Sequence, residues 1–321
     1  MKRSCSIGLC IFCVFLLSSI SSAQSYTGKK MLFVDSYHEG YAWSDGIAAG
    51  IREVIEGTGV ELKIFHMDTK RNGSEEAKIE AAKQAKALIE EFNPDVVIAS
   101  DDNASLYLVS NYYRDADLPF VFCGVNWDVT NYGYPYKNAT GMVEVSGILQ
   151  ILEKLKPYAK GKKVGYLASD AHTDRKEADN YKKVLNIDTT NYFVQDFKDW
   201  KDKFVQIQKE ADLLIIGNNA SIRDWNEEEA LSFVLKNSKI PTGAIYEWIT
   251  PYALMGATLM PEEQGQWSAR TALKILDGTP PSSIKIAMNK KINLIVNQKI
   301  ADAMGIKIKE QDIQSADKII K

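Results

Sequence analysis

Two short stretches of this chain gather more chemistry than their length requires. The first runs from Asp35 to Asp45 and sets Tyr37, His38, Tyr41 and Trp43 among Ser36, Glu39 and Ser44. Aromatic rings on a loop offer large, rigid contact area at little entropic cost, which suits ligand capture. The plainer reading is that Tyr41 and Trp43 cover the start of the next helix. The second stretch is Ser100, Asp101, Asp102 and Asn103. A helix start needs one capping side chain, so two adjacent carboxylates leave acceptors for a polar or cationic group.

Enzymatic chemistry finds less support. The histidines, His38, His66 and His172, stand at no metal-ligand spacing. No Gly-x-Ser-x-Gly elbow or phosphate-binding Gly-rich loop occurs, and Gly161-Lys162 lacks the earlier glycine such a loop needs. Asp35 with Asp101 and Asp102 could hold Mg²⁺ for hydrolysis or phosphotransfer. That remains the enzymatic alternative, and a docking protein that binds no small molecule is a third reading. The expectation is a binding protein without enzymatic activity or cofactor.

The elements that must position these residues alternate. Apolar runs at Met31–Val34, Leu62–His66, Asp95–Ser100 and Pro119–Val125 read as strands, since strands buried on both faces lose their alternation. Helical periodicity lies between them: Ser44 caps a helix burying Ile47, Ile51, Val54 and Ile55, and Ser74 opens one burying Ile79, Ala82, Leu88, Ile89 and Phe92. The rhythm restarts after Ser146, with strands at Lys163–Ala168, Tyr192–Gln195, Asp212–Gly217 and Ile240–Tyr246. Two βαβ runs of this length predict two Rossmann-like lobes with parallel sheets. The remaining strands and helix cannot form a core alone and must complete those lobes. Three crossings are expected, near Glu144, Glu247 and Thr279. The first lobe then spans 28–143 plus 247–278, and the second 144–246 plus 279–321.

Ligands of open α/β sheets sit beyond the carboxyl ends of the strands. In the first lobe that rule, with the aromatic loop, selects Ser36, Tyr37, His38 and Trp43, then Asp101, Asp102 and Asn103, then Asn126 and Trp127. In the second it selects Ser169 and Asn218, and the crossing adds Tyr246 and Trp248. Asn218 serves equally well as a helix cap.

The first residues look like an export signal. Lys2 and Arg3 precede an apolar run from Ile7 to Leu17, and Ser21, Ser22 and Ala23 offer small residues before Gln24. The run is shorter than the roughly 20 residues of a bilayer span. Cleavage after residue 23 would remove Cys5, Cys10 and Cys13, leaving Cys123 as a buried small hydrophobe with no disulfide partner. Losing the cations Lys2 and Arg3 takes the formal charge from −3 to −5, which speaks against nucleic acid as a partner.

Residues 36–43 (Ser-Tyr-His-Glu-Gly-Tyr-Ala-Trp), 100–104 (Ser-Asp-Asp-Asn-Ala) and 121–126 (Val-Phe-Cys-Gly-Val-Asn) carry a resemblance. They resemble the ABC-transporter-type substrate-binding protein family of type I periplasmic fold. Within it they look most like the branch used as extracytoplasmic sensor domains of histidine kinases and diguanylate cyclases. Residues 265–278, the pair Pro280-Pro281 and residues 297–306 are similar to the family's closing helix and tail. The likeness covers nearly the whole chain after the leader. It implies a periplasmic or otherwise extracytoplasmic monomer that closes on a hinge over an amino-acid-like or aromatic small molecule. The partner it implies is a transporter permease or a membrane sensor kinase. Relatives that bind aromatic amino acids carry a Thr-Pro or similar small pair where this chain has Asp101 and Asp102, so a ligand carboxylate is not implied there. The membrane span and signalling domains of the sensor branch are absent from this sequence, which implies a free binding protein.

Overall fold

The computed structural model describes residues 25–321. The expected leader, with Lys2, Arg3, Cys5, Cys10 and Cys13, lies outside the described residues.

The chain begins with β1 (Lys30–Asp35), α1 (Ala42–Ile55), β2 (Glu61–His66), α2 (Glu75–Phe92) and β3 (Val96–Ser100). A continuous helical stretch follows, made of α3 (Asp101–Asn103), a π-helical segment (Ala104–Val109) and α4 (Ser110–Tyr112). Next come β4 (Phe120–Asn126) and β5 (Ala139–Glu144). The second series is α5 (Ile148–Leu155), β6 (Val164–Ser169), α6 (His172–Leu185), β7 (Thr189–Val194), α7 (Phe197–Glu210), β8 (Leu213–Ile216), α8 (Glu227–Asn237) and β9 (Thr242–Ala244). The last part is β10 (Met255–Leu259), α9 (Pro261–Leu276), β11 (Ala287–Met288), β12 (Ile292–Asn297), α10 (Gln298–Met304), α11 (Glu310–Gln314) and β13 (Lys318–Ile320).

These strands form two sheets, ordered β11-β5-β4-β3-β1-β2 and β13-β12-β10-β9-β8-β6-β7. The first is parallel throughout. Its strands alternate between two apolar layers. Met31, Phe33, Ile98 and Val121 face Ile47, Ile51 and Ala272 of α1 and α9. Leu32, Val34, Val97 and Phe122 face the layer of Ala82, Ala85 and Leu108 on the other side. Burial on both faces is what made these strands read as unbroken apolar runs. Helices α1 and α9 touch backbone to backbone. A Cβ on Gly265 would stand 2.0 Å from the Ile47 carbonyl oxygen, so only glycine permits this crossing.

The second sheet is parallel as expected save for one pair, β12 running antiparallel to β10. The path explains it. Strand β10 ends facing the other lobe, the chain crosses and builds α9 and β11 there, and it returns at that same side. Strand β12 therefore starts where β10 stopped and must run the opposite way.

Two crossings also differ from their expected places. Strand β10 pairs with β9 in the second sheet, so the chain leaves that lobe at Met260 rather than Glu247. Strand β11 pairs with β5 in the first sheet, so the return falls at residues 289–291 rather than Thr279. The first error is one of partner, since nothing in the residues of β10 says which sheet it joins; the second comes from β11, whose two residues leave no pattern. Asn289 joins the crossings, its side chain accepting from the Val145 amide at 2.7 Å and donating to the Val145 carbonyl at 3.0 Å.

Two local expectations are corrected. Ser44 does not cap α1; the helix starts at Ala42, and the Ser44 hydroxyl donates to Asp35 Oδ1 at 2.8 Å. Ile79 is exposed, and Ala81 and Ala85 fill the inner face of α2 instead. Among the described residues no helix is long and apolar enough to cross a membrane.

Candidate functional site

All three crossings lie on one side of both sheets, so the carboxyl ends of the main strands face each other across a cleft. A cavity of about 580 Å³ occupies it. From the first lobe it is lined by Tyr37, Tyr41, Trp43, Lys70, Asp101 and Asn126, with Glu144 at the crossing. The second lobe contributes Ser146, Glu177, Tyr246, Trp248, Thr258 and Asn293.

The residues after β1 divide into supports and walls. The Asp35 carboxylate is fully buried and occupied: it accepts from Ser44 and Ser100 and pairs with His66 Nδ1 at 2.8 Å. Ser36 donates to the Ser100 carbonyl at 2.5 Å and accepts the Ala104 amide at 2.8 Å, fixing the β1 turn to the next helix. Tyr37 and Tyr41 can then meet edge to face at 5.3 Å. The Lys70 ammonium lies 4.5 and 4.3 Å from their ring centroids and donates to the Tyr41 hydroxyl at 2.8 Å. His38 turns aside to the Glu39 carbonyl and does not line the cavity.

Asp101 is the strained point of the site. It sits at the end of β3 with φ +68, a left-handed conformation uncommon outside glycine and one that concentrates at binding sites. Its neighbour on β4 is Gly124, φ +65, where a Cβ would come within 2.9 Å of Asp101 Oδ1. That oxygen accepts from Trp43 Nε1 at 3.1 Å. The other oxygen, Oδ2, is buried and has no hydrogen-bond partner among the described residues. Burial, then the charge of Asp35, holds this carboxyl well above the usual carboxylate range.

Asp102 faces Asn126 and contacts its amide and side chain, both at 3.4 Å. Asn103 donates to Thr69 Oγ1 at 2.8 Å. Trp127 lies behind the cavity, where it bridges the lobes: its Nε1 donates to Glu177 Oε2 at 2.5 Å and its ring packs edge-on against Tyr181. In the second lobe Ser169 donates to Asp174, its amide donates to the Asn218 carbonyl, and the Asn218 side chain accepts from the Ala220 amide within a turn rather than capping a helix, the next helix being capped by Asn226. Neither Ser169 nor Asn218 reaches the cavity. Tyr246 and Trp248 do, stacked at 4.9 Å with 21° between planes, Trp248 being 55 % exposed.

Of the residues expected at the site, the cavity unites Tyr37, Trp43, Asp101, Asn126, Tyr246 and Trp248. Ser36, His38, Asp102, Asn103, Trp127, Ser169 and Asn218 lie around it. Sequence reading missed Lys70, Glu144, Ser146, Glu177, Thr258 and Asn293 as cavity residues. Glu177 had a signal: Asp174, Glu177, Ala178 and Tyr181 share the buried face of α6, and two acids on an inward helical face are unusual.

The missed acids share the electrostatics of the site with Asp101. Burial, then repulsion from Asp101, Asp102 and Glu177, raises the Glu144 carboxyl well above the usual range, with Lys70 acting the other way. Glu177 is raised by burial, against the pull of Ser146, Trp127 and Tyr181. Among those residues, no group of three or more His, Cys, Asp or Glu is arranged to hold a metal ion.

The family model described as ABC transporter substrate binding protein matches residues 39–320. Among solved structures, the chain is similar to the ligand-free, open form of a substrate binding protein with adhesive properties from Clostridium difficile. That likeness has 16% identity and a TM-score of 0.67, covering 91% of this chain and 99% of the other. The ABC domain from Streptococcus pneumonia, solved in complex with L-Trp, matches at 18% identity and TM-score 0.53 over 91% and 99%. The periplasmic ribose ABC transporter from Conexibacter woesei matches at 14% and 0.54 over 88% and 97%. At such identities these likenesses show the fold. No curated protein sequence matches the chain.

Proposed function

The chain belongs to the ABC transporter substrate-binding protein family, and from that premise we propose that its interlobe cavity captures one small organic molecule with an aromatic or amino-acid-like body. Proteins of this family and fold bind small molecules for delivery to a transporter permease and are not enzymes. The observation that carries the ligand reading is the pair of aromatic walls. Tyr37 and Trp43 come from one lobe and the Tyr246–Trp248 stack from the other, around about 580 Å³. That volume is in the range of small-molecule sites, and only an approach of the lobes brings the two walls against one ligand.

The mechanism is closure on the three crossings. A ligand shifts the balance of open and closed forms only by its differential affinity for them. Contacts shared between lobes supply that difference, and the closed surface then engages the membrane partner. One chain furnishes both walls, which supports a monomer, and the family supports an extracytoplasmic site of action. The metal-enzyme alternative loses its Asp35 ligand, whose carboxylate is held by Ser44, Ser100 and His66.

The test is fluorescence. Trp43 and Trp248 line the cavity, so a compound shown by calorimetry to bind with one site per chain should change tryptophan emission. Unchanged emission at saturation would remove the aromatic-wall reading.

A further inference from the structure

The ionisable side chains of the cavity are one-sided, and they specify the ligand more closely. Asp101, Glu144, Glu177, Glu247 and Glu262 line it against the single cation Lys70, among the described residues. Lys70 is committed to the faces of Tyr37 and Tyr41 and to the Tyr41 hydroxyl. Glu247 has its own partner at the surface, Lys318, at 3.4 Å. Among the described residues the other acids have no ion pair of this kind.

Two buried oxygens give a second, independent indication. Asp101 is 2% exposed and lines the cavity, and its Oδ2 has no hydrogen-bond partner among the described residues; Glu177, 8% exposed, lines it from the other lobe, its Oε1 served only by the nearby buried hydroxyls of Ser146 and Tyr181. Buried polar atoms in native proteins are almost always hydrogen-bonded, and buried charges are paired. One of these acceptors belongs to each lobe, and Glu144 lies within electrostatic reach of both residues.

Resting on the reading of this cleft as the ligand site, we propose that the ligand is a small organic cation with N–H donors, an amine or guanidine. Its positive end lies among Asp101, Glu144 and Glu177, and its body lies against Trp43, Tyr246 and Trp248. A free carboxylate on the ligand would face acids on most of the cavity wall, whereas a cation beside them favours their charged form. Because the positive end is shared between lobes, the same charge that gives selectivity also favours the closed form.

The test is calorimetric titration of the purified protein with tryptamine, tyramine, agmatine and putrescine. The comparison set is indole, indole-3-acetate and L-tryptophan. At least one amine should bind about tenfold tighter than every member of the comparison set. Glu177→Gln, which keeps the size of the side chain, should weaken that amine about tenfold or more. Asp101→Asn, in the other lobe, is read in the same way should the first variant fold poorly. Binding from the comparison set with none by the amines overturns the cationic assignment and leaves the cleft reading standing. Amine binding that both variants retain in full also overturns it. Binding by neither set overturns both readings.

Discussion

Trp127→Phe isolates the contact that couples the two lobes. Trp127 follows β4 of the first lobe, and its indole N–H meets Glu177 Oε2, on α6 of the second, at 2.5 Å. The ring also meets Tyr181 of α6 edge-on at 5.9 Å. Phenylalanine keeps an aromatic ring there and deletes the N–H. Leaving the buried Glu177 oxygen without its donor costs about 1–3 kcal/mol. When the lobes separate, water serves Glu177 in both proteins, so the loss falls on the arrangement in which they touch. The closed-to-open ratio should therefore fall about five- to 150-fold. The nearby Lys183–Asp128 pair, at 3.4 Å and largely exposed on the lysine side, compensates little. Spin labels at Glu80→Cys on α2 and Asp202→Cys on α7 occupy exposed positions on opposite lobes. Double electron–electron resonance should show the variant enriched in the longer distance. Identical distance distributions for the two proteins would refute the coupling.

Three further outcomes follow from the packing and charge. The raised Glu144 carboxyl favours the ligand-free fold in its protonated form, so that contribution is complete below the ordinary carboxyl value of 4.5 and is lost as pH rises through the raised one. Melting of ligand-free Glu144→Gln should thus decline less than wild type from about pH 5 to about pH 8, and parallel declines would contradict this. The Cys123 thiol is fully buried and pushed up by burial, so a chromogenic disulfide should leave it untouched at mildly alkaline pH until the protein unfolds. Rapid labelling of the native protein would contradict that burial. Gly265→Ala forces a methyl against the Ile47 carbonyl and should cost about 1–3 kcal/mol by denaturant melts, an unchanged midpoint being the adverse result.

The fold was largely legible because its strands are buried on both faces. Met31–Val34 and Val96–Ala99 read as continuous apolar runs between helices of clear period, and the two-lobe architecture follows from their repetition. What sequence reading missed has physical causes. Strand β5, Ala139–Glu144, carries Thr140 and Gly141 where an apolar run would be expected. The sheet that β10 joins is not legible in its own residues, and β11 is too short for any periodicity, which displaced two crossings. For the site, the strand-end rule located Asp101, Asn126 and Tyr246 because those residues follow strands in sequence. It could not locate Glu177 and Asn293, which reach the cavity from a helix face and from the start of a reversed strand. Ser36 and Ser169 follow strands as the rule requires, yet their hydroxyls are bound within the turns they stabilise.

The central claim is that one small molecule is held in the cavity between the lobes. Native mass spectrometry of the purified protein after incubation with a pooled small-molecule extract tests it, with Asn293→Trp as the comparison. Asn293 lines the cavity at the half-buried start of β12, so an indole there fills ligand space without entering either core. The account predicts one retained molecule per wild-type chain, lost on denaturation, and none on the variant. A wild-type chain that retains nothing, or a variant that retains the same molecule equally well, would contradict it.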